Sequence, residues 1–188
     1  MRQLLVTTLV AAAASAVVAA QPSPRAQVER RIPTPEAVIG FAPGAELKLA
    51  TYDQTIDYFR KLDAASDRMT LVEAGTSSQG RKFYFALISS ASNLKKIDRY
   101  REVARELARP EGLSEARALA LAREGKPIVH IDGGLHSTEV AGPQHTLLLA
   151  HDLLAKQNDP QIARILDDVI LMLWPTINPD GHQMVAEW

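Results

Sequence analysis

The chain has 188 residues, of which 46% are hydrophobic and 23% charged, with no cysteine and a formal net charge of −1. This length and composition are ordinary for one globular domain, and the absence of net positive charge argues against a nucleic-acid partner. Without cysteine, the chain cannot be a small scaffold held together by disulfides.

The first 20 residues form a separate compositional block. Arg2 supplies a positive charge, residues 4–18 are apolar and rich in alanine, and the small residues before Gln21 fit a cleavage site. An uncleaved membrane anchor is the alternative, although alanine and threonine dilute its hydrophobicity. We therefore expect a signal peptide over residues 1–20, cleaved after Ala20, and a periplasmic or secreted protein without stable membrane insertion.

Residues 21–45 contain five prolines, which disfavour helix and predict an extended, proline-rich lead-in. The folded domain is expected over residues 46–188. Thr51 and Gln54 match a capping box, and the apolar residues after them recur at helical spacing. This pattern predicts a helix over 52–65.

The middle of the chain predicts a hairpin followed by two helices. Two strand-like runs at 69–74 and 82–89 are joined by Gly, Ser and Gln, which are turn residues. A stripe of apolar residues predicts a helix over 97–107, and an alanine-rich segment predicts another over 114–124. The hairpin contributes antiparallel strands to the sheet.

The last third of the chain alternates strands and helices. Apolar runs predict buried strands at 127–132 and 168–174, and Pro143 marks the first turn of a helix that continues to Leu154. Strands separated by helices indicate parallel pairing. The predicted fold class is α/β, with a mixed, largely parallel β-sheet flanked by helices.

His136 and Glu139 are the strongest candidates for chemistry. They follow the strand at 127–132 and the pair Gly133-Gly134, which allows a sharp backbone bend into a cleft. Imidazole nitrogen and carboxylate oxygen are both zinc ligands. Taken singly, each residue has a simpler interpretation, a loop histidine bonded to backbone and an acid at a helix N-terminus. Their joint setting favours a metal site.

Three segments together resemble the M14 family of zinc carboxypeptidases over roughly residues 46–188. Residues 75–81 with 83–87 are similar to the family's early hairpin, residues 133–139 to its first zinc-binding segment, and residues 178–181 (Asn-Pro-Asp-Gly) to a turn after a later strand. The resemblance implies a zinc-dependent peptidase in which metal-activated water hydrolyses bonds near the C-terminus of a peptide substrate. His136 and Glu139 would be two zinc ligands.

The resemblance also implies that part of the site is missing. In the family, the second histidine ligand, the substrate-gripping arginines, a tyrosine and the general-base glutamate lie well beyond the Asn-Pro-Asp-Gly segment, whereas this chain ends at Trp188. We therefore interpret the 188 residues as the N-terminal portion of a longer enzyme that is inactive alone. No catalytic acid or base is assigned in it.

The remaining polar candidates have structural interpretations. His130 is expected in the core, and His145 and His151 are separated by about 120° on one helix and cannot share an ion. His182, where the family commonly has an aromatic residue, leaves a local role open. Asp132 is expected either to accept a hydrogen bond from a ligand imidazole or to be solvated. Asp180 belongs to a turn that shapes the cleft and is a weak candidate for a supporting hydrogen bond. Arg81 is expected to be a scaffold residue and not a substrate clamp.

Two other functions stay open. A zinc deacylase or amidase of the aspartoacylase type also uses an early pair of histidine and glutamate. A non-catalytic remnant or binding module, with two ligands of weak metal affinity and an exposed sheet edge, belongs to another class. A downstream histidine ligand and glutamate base would separate the enzymes from the binding module.

Overall fold

A computed structural model describes residues 31–188. The predicted signal peptide and its cleavage site after Ala20 lie outside the described residues, as do residues 21–30. No helix in the described part is long and apolar enough to cross a membrane. The helices are α1 (Pro35–Ile39), α2 (Tyr52–Ala65), α3 (Ala91–Leu94), α4 (Ile97–Ala108), α5 (Glu115–Glu124), α6 (Ala141–Ala155), α7 (Pro160–Asp168) and α8 (Pro179–Glu187), and the strands are β1 (Met69–Thr76), β2 (Lys82–Ile88), β3 (Ile128–Asp132) and β4 (Ile170–Trp174).

The four strands form one sheet in the order β1-β2-β4-β3. The predicted hairpin and the mixed sheet flanked by helices are confirmed. Among the three described pairings, however, only β3 with β4 is parallel, so this part of the sheet is not largely parallel as expected. The reason is that β2 returns from its hairpin and joins β4 directly, whereas the crossover through α6 and α7 makes β3 and β4 parallel.

The main hydrophobic core lies between one face of the sheet and helices α1, α2 and α6. Alternation along β4 sends Leu171 and Leu173 into this core, while Met172 between them points to the other face. The other buried members of the core are Ile39, Ala50, Tyr58, Phe59, Leu62, Met69, Ala86, Ile88, Leu147, Ala150, Leu153, Leu154 and Leu166.

Helix α2 begins at the capping box that the sequence predicts. The Thr51 side chain accepts a hydrogen bond from Gln54 N at 3.2 Å, and the Gln54 side chain accepts one from Thr51 N at 3.0 Å. The backbone N–H groups of Thr51 and Gln54, which have no partner within the helix, both receive one in this way. The helix ends at Ala65, as predicted.

Strand β3 differs from the prediction of a buried strand. Ile128 and Val129 are 44% and 40% exposed, and the His130 side chain is 57% exposed. The prediction that His130 is a core histidine is therefore wrong. The physical reason is position, because β3 is an edge strand of the described sheet and pairs there with β4 alone.

Two helices start at prolines where extended chain or a turn was expected. In α1, Thr34 Oγ1 accepts from Ala37 N at 3.3 Å, so residues 35–39 interrupt the predicted extended lead-in. In α8, Asn178 Oδ1 accepts from Gly181 N at 3.0 Å, so the Asn-Pro-Asp-Gly segment opens a helix. Proline suits the first helical position because its fixed φ is helical and its missing N–H would have no partner there.

Candidate metal centre at the carboxyl end of the sheet

The loops that follow β3 and β4 lie side by side, because the two strands are parallel. Gly133 N donates to Trp174 O at 2.8 Å, and Ile177 N donates to Gly134 O at 3.0 Å. Thr176 Oγ1 donates to the same Gly134 carbonyl at 3.0 Å. Backbone pairing thus continues past both strands and fixes the start of the loop that carries His136.

The structure brings together the two predicted metal ligands. His136 Nδ1 lies 2.9 Å from Glu139 Oε2, and the two side chains are 68% and 66% exposed. They border an open cavity of about 540 Å³, which is also lined by Asp132 and by the first residues of α6. The donor set, one imidazole nitrogen beside one carboxylate oxygen, fits a zinc ion chemically. That zinc binds here stays a prediction.

Within residues 31–188, no group of three or more His, Cys, Asp or Glu side chains is close enough to hold a metal. His136 and Glu139 therefore form a pair in the described part of the chain and not a complete ligand set. His145 and His151 border two other cavities, so they do not join this pair. That His145 and His151 border different cavities agrees with the prediction that they face different directions on one helix and cannot share an ion.

Glycines allow helix α6 to approach the β3 loop closely. A Cβ added to Gly142 would lie 1.9 Å from Gly133 O, and one added to Gly133 would lie 2.2 Å from Pro175 O. The chain bends at Gly133 as predicted, but neither Gly133 nor Gly134 has positive φ, so glycine is required there for space and not for a left-handed backbone. Gly142 was missed, since only the neighbouring Pro143 signalled a helix start.

The Asp180 carboxylate ties the tip of the β1–β2 hairpin to the first turn of α8. It accepts hydrogen bonds from Ser77 Oγ at 2.8 Å, Ser78 Oγ at 3.2 Å and Gln79 N at 3.1 Å, and Arg81 Nη1 lies 3.2 Å away in an ion pair. The Asp180 side chain is only 13% exposed. Asp180 and Arg81 are thus scaffold residues that hold together two distant parts of the chain.

We expect Asp180→Asn to lower the free energy of unfolding at neutral pH. Desolvation raises the pKa of Asp180, but the hydrogen bonds from the hairpin tip outweigh it and hold the pKa below its ordinary value of 3.8. The folded state therefore resists protonation, and this stabilisation is present above about pH 4 and lost as the pH falls through the folded-state pKa. Urea titrations should show a difference from the unchanged protein that shrinks toward acid pH.

The exposed Asp67 offers a matched control, because Asp67→Asn makes the same chemical change at the surface. A difference between Asp180→Asn and the unchanged protein that stayed constant from neutral to acid pH would contradict the role of the Asp180 charge.

His182 joins α8 to the start of α2 from a buried position. It is 6% exposed, and its Nε2 donates to Ala50 O at 2.9 Å. Its ring also lies edge-on to that of Tyr52, with centroids 6.1 Å apart. Nδ1 is buried without a partner among the described residues. The local role that the sequence left open is therefore a structural one, and it favours the neutral ring.

We expect the free energy of unfolding to fall as the pH decreases below about 6.5, and His182→Gln to reduce that dependence. Burial lowers the pKa of His182 below its ordinary value of 6.5, more than the hydrogen bond to Ala50 raises it. The unfolded state then binds a proton that the folded state does not. This changes the slope of the free energy of unfolding against pH by up to about 1.4 kcal/mol per pH unit. Denaturant titrations between about pH 5.5 and 7.5 measure it.

Glutamine can still donate a hydrogen bond to Ala50 but does not titrate. The control is His130→Gln, which makes the same chemical change at an exposed position on β3. Parallel pH profiles for His182→Gln and the unchanged protein would disprove the expectation.

Curated relatives of the chain are carboxypeptidases. The chain is 29% identical over 144 residues to carboxypeptidase 2 of Trichophyton rubrum, an alignment that covers 76% of this chain and 22% of that protein. It is 38% identical over 85 residues to carboxypeptidase B of Astacus astacus, covering 41% of this chain and 27% of the relative. The chain thus spans about a quarter of the length of these relatives.

Solved structures give the same fold. Thrombin-activatable fibrinolysis inhibitor superposes with a TM-score of 0.54 at 14% identity, covering 74% of this chain and 28% of that one. Carboxypeptidase A from Helicoverpa armigera gives a TM-score of 0.50 at 18% identity, covering 79% and 31%. The family model described as zinc carboxypeptidase matches residues 55–188, which is well over half of the sequence. The chain belongs to the M14 family of zinc carboxypeptidases.

Proposed function

We propose that the protein is an exported zinc-dependent carboxypeptidase, which hydrolyses peptide bonds near the C-terminus of peptides, and that His136 and Glu139 are two of its zinc ligands. The observation that carries the proposal is the 2.9 Å approach of His136 Nδ1 and Glu139 Oε2 at the carboxyl end of β3. The same segment falls inside the region matched by the family.

The residues of the site have separable tasks. When bound, zinc polarises a carbonyl and lowers the pKa of water toward neutrality. His136 and Glu139 would hold the ion, and Glu139 is thereby committed as a ligand and not available as general base. The open cavity leaves the exposed side of this pair accessible to a peptide. We assign no proton-transfer residue within 31–188.

Peptide hydrolysis by the full-length protein tests the proposal. We expect mass spectrometry to show stepwise loss of C-terminal residues from a peptide with a free C-terminus, inhibition by a chelator, and recovery on addition of zinc. Cleavage of N-acyl amino acids without peptide cleavage would instead favour the deacylase. A folded protein that binds zinc without hydrolysing either substrate would overturn the enzymatic proposal in favour of a binding module.

Export is tested separately, by the N-terminus of the protein recovered from its source. We expect mature chains to begin at Gln21, in the periplasmic or extracellular fraction, because residues 1–20 have the composition of a cleaved signal peptide. Recovery of chains that still begin at Met1 in the cytoplasm would contradict this part of the proposal.

A further inference from the structure

We propose that Asn178 is a positioning residue for the zinc-binding loop, a role that rests on the proposed function. Its side chain links the backbone immediately before His136 to the first turn of α8. In this way α8, which carries neither of the two proposed zinc ligands, takes part in determining metal affinity.

The Asn178 carboxamide uses both of its ends. Oδ1 accepts from Gly181 N at 3.0 Å, and Nδ2 donates to Leu135 O at 3.0 Å. The partners fix the orientation of the amide, since the opposite orientation would face donor to donor and acceptor to acceptor. Aspartate or serine could cap α8 equally well, but neither could also donate to Leu135 at neutral pH from this geometry.

A second contact holds the other side of His136. A Cβ added to Gly181 would lie 2.7 Å from Ser137 Cβ, so the first turn of α8 rests directly against Ser137. The loop is therefore held at Leu135 by a hydrogen bond and at Ser137 by close packing. His136 lies between these two points.

The helix that makes these contacts is itself firmly placed. Asp180 is bonded to the hairpin tip, and His182 is bonded to Ala50 at the start of α2. The Asn178 backbone N–H also donates to Thr176 Oγ1 at 3.1 Å. The hydrogen bond to Leu135 thus connects the loop to a helix that is itself bonded to the hairpin tip and to the start of α2.

The loop needs such support because little else covers it. Leu135 is 54% exposed, and the His136 side chain is 68% exposed, so packing does little to restrict them. A ligand that samples many positions must be ordered when the metal binds, and this ordering weakens affinity. Groups that orient metal ligands typically change metal affinity by about 10- to 100-fold.

Asn178→Asp in the full-length protein tests the hydrogen bond that Asn178 Nδ2 donates to Leu135 O. The variant keeps the acceptor that caps Gly181, but places a second acceptor against Leu135 O. Its added negative charge would by itself favour a cation, so weaker binding cannot be attributed to charge. We expect the zinc dissociation constant, measured by chelator competition, to rise about 10-fold or more. We also expect the visible absorption bands of the Co²⁺-substituted protein to change.

Controls separate a positioning role from a merely structural one. Asn158→Asp, in the exposed loop between α6 and α7, makes the same change away from the site and should bind zinc normally. If Asn178→Asp does not fold, Asn178→Ser keeps the cap with no added charge and should show the same loss. Unchanged zinc affinity and Co²⁺ spectrum in a folded Asn178 variant would overturn the inference. Failure of the unchanged protein to bind zinc would overturn the proposed function itself.

Discussion

Gly142→Ala is expected to destabilise the protein by about 3 kcal/mol or more, at the upper end of what overpacking usually costs. The added Cβ would lie 1.9 Å from Gly133 O, which is a backbone atom. That carbonyl cannot move easily, because Gly133 N is bonded to Trp174 O at 2.8 Å in continuation of the sheet. Such a loss is a large fraction of a typical stability of about 5–15 kcal/mol. Urea unfolding measures it directly.

Gly112→Ala is the matched control, since it makes the same change where no atom lies within 4 Å of the new Cβ. Gly112 has φ +78°, so the substitution carries a left-handed strain of about 1–2 kcal/mol but no clash. The close approach of α6 to the β3 loop would be wrong if Gly142→Ala destabilised the protein no more than Gly112→Ala.

His136→Ala is expected to reduce zinc affinity by at least about 100-fold, because loss of a direct ligand should exceed the effect of losing a group that only orients one. Glu139→Gln should have a similar effect while preserving side-chain size, since the amide is a poor replacement for a charged oxygen ligand. Both variants should retain the fold, because both side chains are about two-thirds exposed. Zinc content after dialysis and hydrolysis of a peptide substrate measure the two consequences.

His130→Gln is the control, because it removes a different exposed histidine, which lies on β3 shortly before the loop that carries His136. It should keep zinc and activity, because the His130 side chain lies beside Trp174 and does not line the cavity of the His136 pair. Full zinc content in His136→Ala would exclude His136 as a ligand.

Local patterns predicted the secondary structure and the candidate pair well. The capping box at Thr51 and the hairpin both depend on residues close in sequence, and both are present. His136 and Glu139 are three residues apart, so their proximity in the structure also follows from local geometry. Zinc binding by the pair is still to be tested.

Contacts between distant residues could not be predicted in the same way. The antiparallel pairing of β2 with β4, and the exposure of His130 on the edge strand β3, depend on which strands become neighbours. Local patterns indicated only weakly that Asp180 would make a hydrogen bond, because the four groups that donate to it lie about 100 residues earlier in the chain. Turn residues at 178–181 equally suited a helix start, and the distinction required the tertiary structure.

The long separation in sequence between α8 and its partners affects the order of folding. Its contacts span 103 residues from Asp180 to Ser77 and 132 residues from His182 to Ala50. A ribosome releases the hairpin and the start of α2 long before α8, and closing such long loops is slow. The hairpin tip and the start of α2 therefore make these contacts only after α8 has been synthesised.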